Sequence, residues 1–358
     1  EALPRPESTP RFSCRSLSLT TRSHMESTSA SDSLITPSLR ALLGEIVDYA
    51  GLFPPADLSL QRALQKYAEY RHEEEAWMLS RFVLPVRRLP DLSSHRGLLK
   101  RGHPYAFSVL GTGGATASSF VDAFERDLDV IEAFDAEQQG QAQVEVMEVP
   151  LPQALVGAGR ADYAEWLRAM DRRLVRTGTA KLDVFLEVPM TPRATAALPA
   201  LCAALATHNS RQALPARTIA GLKVRCGGGT PGDVPAAEDL AALLSACRDA
   251  SVPFKATAGL HHPMRHYDDG LDTEAHGFLN LFVAAVLAAE CDLDRSELVA
   301  ILREDTPDNF RFLKESVAWR DLSASLEGVR HVRDTLARSF GSCSFEEPID
   351  HLRTHELL

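Results

Sequence analysis

The chain has 358 residues, of which 45% are hydrophobic and 24% are charged. These values are ordinary for a globular protein and too apolar for a disordered one, so we expect a chain that folds around a large core. The formal net charge of -11 makes the surface as a whole repel phosphate backbones and anionic bilayers. We therefore predict no nucleic-acid partner and no membrane partner.

The cysteines and the first residues of the sequence indicate the compartment and the domain limits. The six cysteines form no CxxC pair and have no zinc-type spacing, which favours a reducing, cytoplasmic location. Residues 1–33 are rich in Ser, Thr, Arg and Pro and contain no apolar stretch, and Met25 lies within them. We interpret residues 1–33 as a disordered tail or leader and residues 34–358 as a single α/β barrel domain.

Short β-rich runs alternate with longer helical patterns from Ile46 onward, which is typical of βαβ units and a parallel sheet. The predicted strands are Ile46–Tyr49, Arg81–Val86, Tyr105–Leu110, Val144–Val149, Leu182–Val188, Ile219–Arg225 and Pro253–Ala258. A closing strand at Ser342–Phe345 is predicted after a mainly helical insertion from about Thr273 to Phe340. The predicted fold class is α/β, a (β/α)8 TIM barrel with a helical insertion before the last strand.

The segments between the predicted strands have the spacing of barrel helices. We predict helices at Leu58–Tyr70, with Asp57 as N-cap, at Ser118–Phe134 and at Asp239–Asp249. The longest apolar run, Gly277–Ala289, is too short for a hydrocarbon core that needs roughly 20 residues, so it is predicted to be a buried helix.

Two predicted strands end alike. Glu148 and Glu187 each begin a Glu-Val-Pro sequence, and proline explains why both strands stop there, since it cannot donate to the ladder. If the strands are neighbours, both carboxyl groups lie at one end of the barrel within about 10 Å of each other. The alternative is a chance repeat or ordinary strand-end chemistry.

Cations fall at inward positions of the sixth and seventh predicted strands. The apolar neighbours of these residues are predicted to face the outer helices, so strand alternation places four polar side chains inside the barrel. They are Lys223 and Arg225 on the sixth strand and Lys255 and Thr257 on the seventh. Ionised lysines are almost never fully buried without a partner, so they imply counter-charges, an anionic ligand or a neutral lysine. The two strand-end glutamates are the natural counter-charges. A structural ion network that fills the barrel mouth is the alternative.

The loops after these two strands are further candidates for ligand binding. Gly227 and Gly228 follow Cys226 in a glycine run whose backbone N–H groups could approach an anion, although any irregular turn has this composition. His261 and His262 suit proton transfer or metal binding, and strand alternation would let at most one enter the site. We interpret His266 and the aspartates after it as a solvated loop.

Paired inward lysines on consecutive late strands, the second in the sequence Lys-Ala-Thr-Ala-Gly-Leu, resemble the deoxyribose-phosphate-aldolase type of class I aldolase barrel. The match covers about forty residues. The resemblance implies that Lys223 forms a Schiff base and that Lys255 lowers its pKa. Two ammonium groups about 5 Å apart at an effective dielectric near 20 repel by roughly 3 kcal/mol, or about two pKa units. We therefore expect one of the two lysines, Lys223 on the resemblance, to lose its proton well below the ordinary lysine pKa. Glu148 or Glu187 would cancel this shift by pairing directly with the amine.

Three functions remain open on these observations. The leading hypothesis is a Schiff-base aldolase or lyase that needs no cofactor and acts on a small anionic metabolite, an oxo acid or sugar-like compound. The alternatives are a lyase or isomerase that enolises its substrate with a divalent metal, and a barrel that binds a small anion without chemistry. Self-association into a homo-oligomer is left open. The predicted catalytic residues are Lys223, Lys255, Glu148 and Glu187, and the predicted substrate-binding residues are Arg225, Gly227, Gly228, Thr257 and His261.

Overall fold

A computed structural model describes residues 35–99, 104–177, 182–211 and 219–358. The predicted tail, residues 1–33, lies outside the described residues. The strands are β1 (Val47–Tyr49), β2 (Leu79–Pro85), β3 (Tyr105–Leu110), β4 (Ala142–Pro150), β5 (Asp183–Val188), β6 (Ala220–Arg225), β7 (Phe254–Thr257), β8 (His266–Asp268), β9 (Thr273–Ala275), β10 (Phe310–Phe312), β11 (Ser316–Trp319), β12 (Leu322–Ser325) and β13 (Ala337–Ser342).

The helices fill the connections between these strands. They are α1 (Pro37–Leu43), α2 (Leu60–Tyr70), α3 (Arg96–Leu99), α4 (Ala117–Gln138), α5 (Arg160–Thr177), α6 (Pro192–Arg211), α7 (Ala237–Ala250), α8 (Phe278–Cys291), α9 (Arg295–Leu302), α10 (Leu326–Thr335) and α11 (Glu346–Thr354). Within the part of the chain that the structure describes, no helix is long and apolar enough to cross a membrane.

Eight parallel strands close into a barrel in the order β1-β13-β7-β6-β5-β4-β3-β2. Strands β1 to β7 are consecutive in the chain, and each lies beside the next, the commonest arrangement for strands joined by short connections. The predicted (β/α)8 fold is therefore confirmed. The seven predicted strands agree with the observed ones to within two residues at each end.

The closing strand differs from the prediction. It is β13, Ala337–Ser342, and not Ser342–Phe345, which leads into α11. Phe340 pairs with Val47 of β1 and with Ala256 of β7, so the strand is fixed by its two neighbours in the barrel. Its own residues include no β-branched side chain, and the local composition therefore carries no strand signal.

The insertion between β7 and β13 contains three helices and two small sheets. Strand β9 and the sheet β10-β11-β12 lie in the segment predicted to be mainly helical, and β8, the other strand of the β8-β9 hairpin, lies just before that segment. Helix α8 confirms the buried apolar helix, and its Asn280 is fully enclosed. The Asn280 side-chain amide donates to the carbonyls of Ile301 and Glu304 (2.8 and 2.7 Å) and accepts from the Arg265 amide (2.9 Å), which ties the insertion together.

The start of α2 also differs from the prediction. Ser59, not Asp57, is the N-cap, and its hydroxyl accepts a hydrogen bond from the Arg62 amide (3.3 Å). Asp57 has a φ of 41°, in the left-handed region, so it belongs to the turn before the helix. Serine and aspartate are equivalent N-cap residues, and the sequence alone cannot separate them when they are two positions apart.

Candidate active site

The barrel interior contains a chain of ion pairs that joins strands from opposite walls. The Lys223 ammonium on β6 lies 2.5 Å from Glu148 Oε2 on β4 and 3.0 Å from Glu187 Oε2 on β5. The Lys255 ammonium on β7 lies 2.6 Å from Glu148 Oε1 and 2.7 Å from Asp48 Oδ2 on β1. Since β7 is not a neighbour of β1 or β4, these contacts must cross the inside of the barrel.

Glu148 is the centre of this ion-pair chain. Its Oε2 atom binds Lys223 and its Oε1 atom binds Lys255. The Ser108 hydroxyl on β3 also donates to Oε1 (2.7 Å). Burial alone would raise the pKa of Glu148, but the ammonium groups of Lys223 and Lys255 outweigh burial and hold the pKa well below its usual range. Glu148 is therefore ionised wherever the protein is folded near neutral pH.

Asp48 lies at the other end of the ion-pair chain. Burial raises its pKa, but Lys255 and Arg81 act more strongly and lower it below its ordinary value. The Ser339 hydroxyl donates to Asp48 Oδ2 (2.6 Å), and the Arg81 amide donates to Oδ1 (3.1 Å). A buried charge needs such partners, and Asp48 has one for each oxygen.

The prediction for Lys223 is wrong in the direction of its pKa. The two lysines are close, since both bind one carboxylate, as the sequence suggested. Burial lowers the pKa of Lys223, but Glu148 and then Glu187 outweigh burial and raise the pKa above its ordinary value. Repulsion between the lysines does not decide the outcome because carboxylates lie nearer to each ammonium than the other ammonium does. The resting Lys223 is an ammonium ion.

Exposure identifies the accessible end of the ion-pair chain. The side chain of Glu187 is 28% exposed, that of Lys223 is 6% exposed and that of Lys255 is 2% exposed. Both glutamates are within 3.0 Å of the same ammonium, so the predicted shared end of the barrel and the predicted separation below about 10 Å are confirmed. Glu187 is therefore the most accessible residue of the ion-pair chain, and Lys223 is its nearest lysine.

Sequence reasoning missed Asp48 and Ser108. Both are polar residues within otherwise apolar strands, Val47–Tyr49 and Tyr105–Leu110. The alternation that indicated the lysines would have placed both side chains inside the barrel as well. Each strand therefore indicated its inward polar side chain by one residue only. A single polar residue in an apolar strand is weaker evidence for a site than the two inward residues of the sixth strand.

A separate cavity of about 540 Å³ opens where β6 and β7 end. Gly227 and His261 line it, together with histidines from the insertion and from α11. The ring of His262 lies 3.8 Å from that of His266 and 3.6 Å from that of His351, measured between centroids. The predicted site residues thus form two groups, the interior ion-pair chain and this histidine-lined mouth cavity.

The adjacent histidines do not alternate as predicted. Both His261 and His262 line the mouth cavity, because the strand ends at Thr257 and the next two residues turn the chain. Ala258 and Gly259 have φ values of 59° and 69°, in the left-handed region. His261 Nδ1 lies 2.7 Å from a carboxylate oxygen of Glu347 on α11, a partner that no local pattern in the sequence indicates.

His266 also departs from the prediction of a solvated loop. It begins strand β8, and its ring contacts His262, so the hairpin folds back over the end of β7. The nearby Asp268 closes the hairpin turn by accepting hydrogen bonds from the amides of Gly270 and Leu271. Tertiary packing brings these residues to the mouth of the barrel.

The glycine run has a packing role in this structure. A side chain at Gly227 would bring its Cβ to 2.8 Å from the Cα of Gly259, so the two loops touch through their backbones. A Cβ at Gly228 would lie 2.5 Å from the Cβ of Asp233. The Asp233 carboxylate accepts hydrogen bonds from the Thr230 amide and hydroxyl, both at 2.9 Å. The Asp233 side chain therefore packs against Gly228 and binds Thr230, the residue that follows the glycine run.

The remaining predicted ligand contacts lie at the rim. Arg225 is the last residue of β6, and its side chain is exposed at the end of the strand, not enclosed in the barrel interior. Thr257 is half-buried, and its carbonyl accepts a hydrogen bond from the Cys226 amide (2.8 Å). Burial raises the pKa of the Cys226 thiol to about 12, so it is not a nucleophile.

The metal hypothesis finds no ligand set in the described ranges. Among residues 35–99, 104–177, 182–211 and 219–358, no group of three or more His, Cys, Asp and Glu side chains is arranged to hold a metal ion. The Lys223 ammonium lies between Glu148 and Glu187, in the position that a cation shared by both carboxylates would take.

The histidine cluster predicts a pH dependence of stability. Burial lowers the pKa of His262 from 6.5 to about 4, with smaller contributions from the charges of His266, His351 and His261. The carboxylate of Asp268 opposes this shift. The unfolded chain binds a proton at this residue between these two values and the folded chain does not, so stability falls as the pH falls from about 6.5 to about 4. After a discount for partial exposure, we expect about 1–2 kcal/mol.

Urea unfolding of the wild type and of His262→Gln at pH 7 and pH 5 measures this effect. Both proteins contain the other histidines. The change in the free energy of unfolding between pH 7 and pH 5 should therefore be larger in the wild type, and the difference between the two proteins isolates His262. Equal loss of stability in both proteins would show that His262 does not titrate in this way.

No protein-family model matches the chain, and no curated protein matches it. Among solved structures, the chain is similar to the spore cortex-lytic enzyme SleL of Bacillus megaterium QM B1551. The sequence identity is 10%, the alignment covers 88% of this chain and 73% of that chain, and the TM-score is 0.36. This likeness carries no argument about activity. The resemblance of the lysine segments to the aldolase family has no support from these comparisons.

Proposed function

We propose that the chain is a carbon–carbon lyase that forms an imine between Lys223 and a small anionic carbonyl compound, an oxo acid or sugar-like substrate. The observation that carries the proposal is the pairing of a nearly buried lysine with two carboxylates at the accessible end of the ion-pair chain. Catalytic groups in barrels of this kind come from the carboxyl ends of several strands, and β4, β5 and β6 each contribute one here.

Lys223 is the nucleophile in this proposal because Lys255 is enclosed. The Lys255 ammonium is held between Asp48 and Glu148, and it lies 5.6 Å from the centre of the Phe185 ring. A carbonyl compound has no approach to it without displacing this packing. Lys255 instead holds Glu148 and so fixes the position of the nearest base to Lys223.

The resting ammonium must lose its proton before it can react. Glu187 is the partly exposed partner, 3.0 Å away, and accepts that proton in the proposed mechanism. The free amine adds to the substrate carbonyl carbon, and the carbinolamine loses water, with the proton on Glu187 returned to the departing hydroxyl. Glu187, a carboxylate again, removes the proton of the substrate β-hydroxyl, and the carbon–carbon bond breaks so that the departing fragment leaves as a carbonyl compound. The electron pair of the broken bond enters the iminium group to give an enamine, and Glu187 returns the same proton to the enamine carbon. Addition of water then releases the product and restores the lysine.

Borohydride trapping with small aldehydes and 2-oxo acids tests the proposal. Reduction of an imine leaves a stable adduct whose position is mapped by mass spectrometry, and the chain has only six lysines. We expect the adduct at Lys223 in the wild type and its loss in Lys223→Arg. Lys314→Arg is the matched control, because Lys314 is exposed. This variant should still form the adduct at Lys223.

The opposite result is equally clear. If Lys223 is labelled no more than the exposed Lys314, and if Lys223→Arg keeps the turnover seen with a carbonyl substrate panel, the imine mechanism is wrong. Turnover that then depended on an added divalent cation would favour the metal-assisted alternative.

A further inference from the structure

A second cavity, of about 380 Å³, lies at the opposite end of the barrel, where the strands begin. Its wall combines the loop before β1, the first residues of β2 and β13, and the end of α10. Catalytic groups in barrels of this fold come from the other face, so the proposed lysine chemistry gives this cavity no role. The cavity is therefore a separate feature of the molecule.

The lining of this cavity is strongly cationic. It includes four guanidinium groups and two carboxylates, from Arg81, Arg330, Arg333, Arg338, Glu45 and Asp334. Arg81 has partners of its own, since it pairs with Glu145 (2.9 Å) and Asp48 (3.8 Å). Within the described ranges of the chain, no ion pair involves the other three arginines.

Two of these guanidinium groups have donors that are buried and unused. Neither Nε of Arg333 nor Nε of Arg338 has a hydrogen-bond partner among the described residues. The terminal nitrogens of Arg333 donate to the carbonyls of Gly44 (2.8 Å), Ala337 and Arg338, which fix the plane of the group. Arg333 is thus held in place by the backbone, while the carboxylates that act on its charge, Asp334, Asp48 and Glu45, do not form an ion pair with it.

Like charges crowd this end of the barrel. Burial, and then the neighbouring Arg338, lower the pKa of Arg333 to about 10. Burial also lowers the pKa of Arg338, with Asp183 opposing and Arg81 adding to the effect. Buried cations are normally paired, but among the described residues no carboxylate, including Glu45 and Asp334 in the cavity wall, lies within ion-pair distance of Arg333 or Arg338.

We propose that this cavity is a binding site for a small tetrahedral oxyanion of the phosphate class. Guanidinium groups match the geometry of phosphate oxygens and remain charged when partly buried. A dianion in the cavity would relieve the repulsion between Arg333 and Arg338. The volume holds inorganic phosphate or the phosphoryl group of a small metabolite.

Calorimetric titration of the full chain with inorganic phosphate, at ionic strength held constant with chloride, tests the proposal. We expect saturable binding in the wild type and about tenfold weaker binding in Arg338→Gln, from the loss of one charged hydrogen-bonding group. Arg303→Gln is the matched control, since Arg303 forms a surface pair with Glu238 (2.6 Å) far from the cavity, and it should bind as the wild type does.

A phosphate monoester titrated in parallel distinguishes the two sources of the anion. Tighter binding than phosphate assigns the site to a phosphorylated metabolite, and equal or weaker binding assigns it to the free ion. If Arg338→Gln does not fold, the exposed Arg330→Gln replaces it and should weaken binding in the same direction. Phosphate binding that chloride abolishes at equal ionic strength, or that neither variant weakens, would overturn the proposal whatever the result of imine trapping.

Discussion

Substitution of Glu148 by glutamine is expected to lower the free energy of unfolding by about 3–5 kcal/mol, the cost of removing one partner from a buried ion pair. The Glu148 carboxylate neutralises Lys223 on one oxygen and Lys255 on the other. The amide leaves two ammonium groups inside the barrel with only Asp48 and Glu187 to balance them. Chemical unfolding at pH 7, with two independent probes to check that the transition is two-state, measures the loss.

Glu187→Gln is the matched control for this prediction. Glu187 contacts the same Lys223 ammonium, but its side chain is partly exposed, so water replaces much of the lost interaction. We expect a loss of about 1 kcal/mol or less, as for pairs near the surface. Equal losses for the two variants would mean that the interior of the barrel is hydrated and that Glu148 is not the centre of the ion-pair chain.

The pH dependence of stability gives a second signature of Glu148. Its pKa in the folded protein lies below that of the unfolded chain, so its contribution is present above the unfolded value of about 4.3. The contribution is lost as the pH falls from about 5 towards the folded pKa, because the unfolded chain takes up a proton that the folded chain does not. Glu148→Gln should therefore lose less stability than the wild type between pH 5 and pH 3.

The inward lysines could be predicted because a strand has a period of two residues. Once Leu222 and Val224 face the helices, Lys223 has one direction left, and the structure places its ammonium there. The same rule does not predict the exposure of Arg225, because the last residue of a strand is accessible to water on either side of the sheet. Periodicity thus predicts the side of the sheet on which a residue lies, but not its environment at a strand end.

The protonation state of Lys223 could not be predicted from the lysine pair alone. It depends on which carboxylates reach each ammonium, and Asp48 comes from the far wall of the barrel. The mouth cavity has the same character, since His351 and Glu347 arrive on the last helix. Contacts between residues hundreds of positions apart follow from barrel closure, and no local pattern specifies them.

The electrostatic effect of Lys255 on Lys223 gives the second large expected result. Lys255→Met should reduce borohydride trapping at Lys223 by at least about tenfold near pH 8, if the imine proposal holds. The substitution removes one ammonium from the carboxylate that both lysines share, so repulsion disappears and Glu148 interacts with Lys223 alone. Both changes raise the pKa of Lys223, and each pKa unit lowers the reactive amine fraction about tenfold below that pKa.

The comparison requires a folded variant, because Asp48 and Glu148 are left with less positive charge around them. Circular dichroism and a thermal scan establish the folded fraction, and Lys255→Arg, which keeps the charge, is the matched control and should retain most of the trapping. The pH at which trapping reaches half its maximum should shift upward in Lys255→Met and stay near the wild-type value in Lys255→Arg. An unchanged or lower midpoint in folded Lys255→Met would show that Lys255 does not set the protonation of Lys223. The chain of ion pairs would then be a structural filling of the barrel.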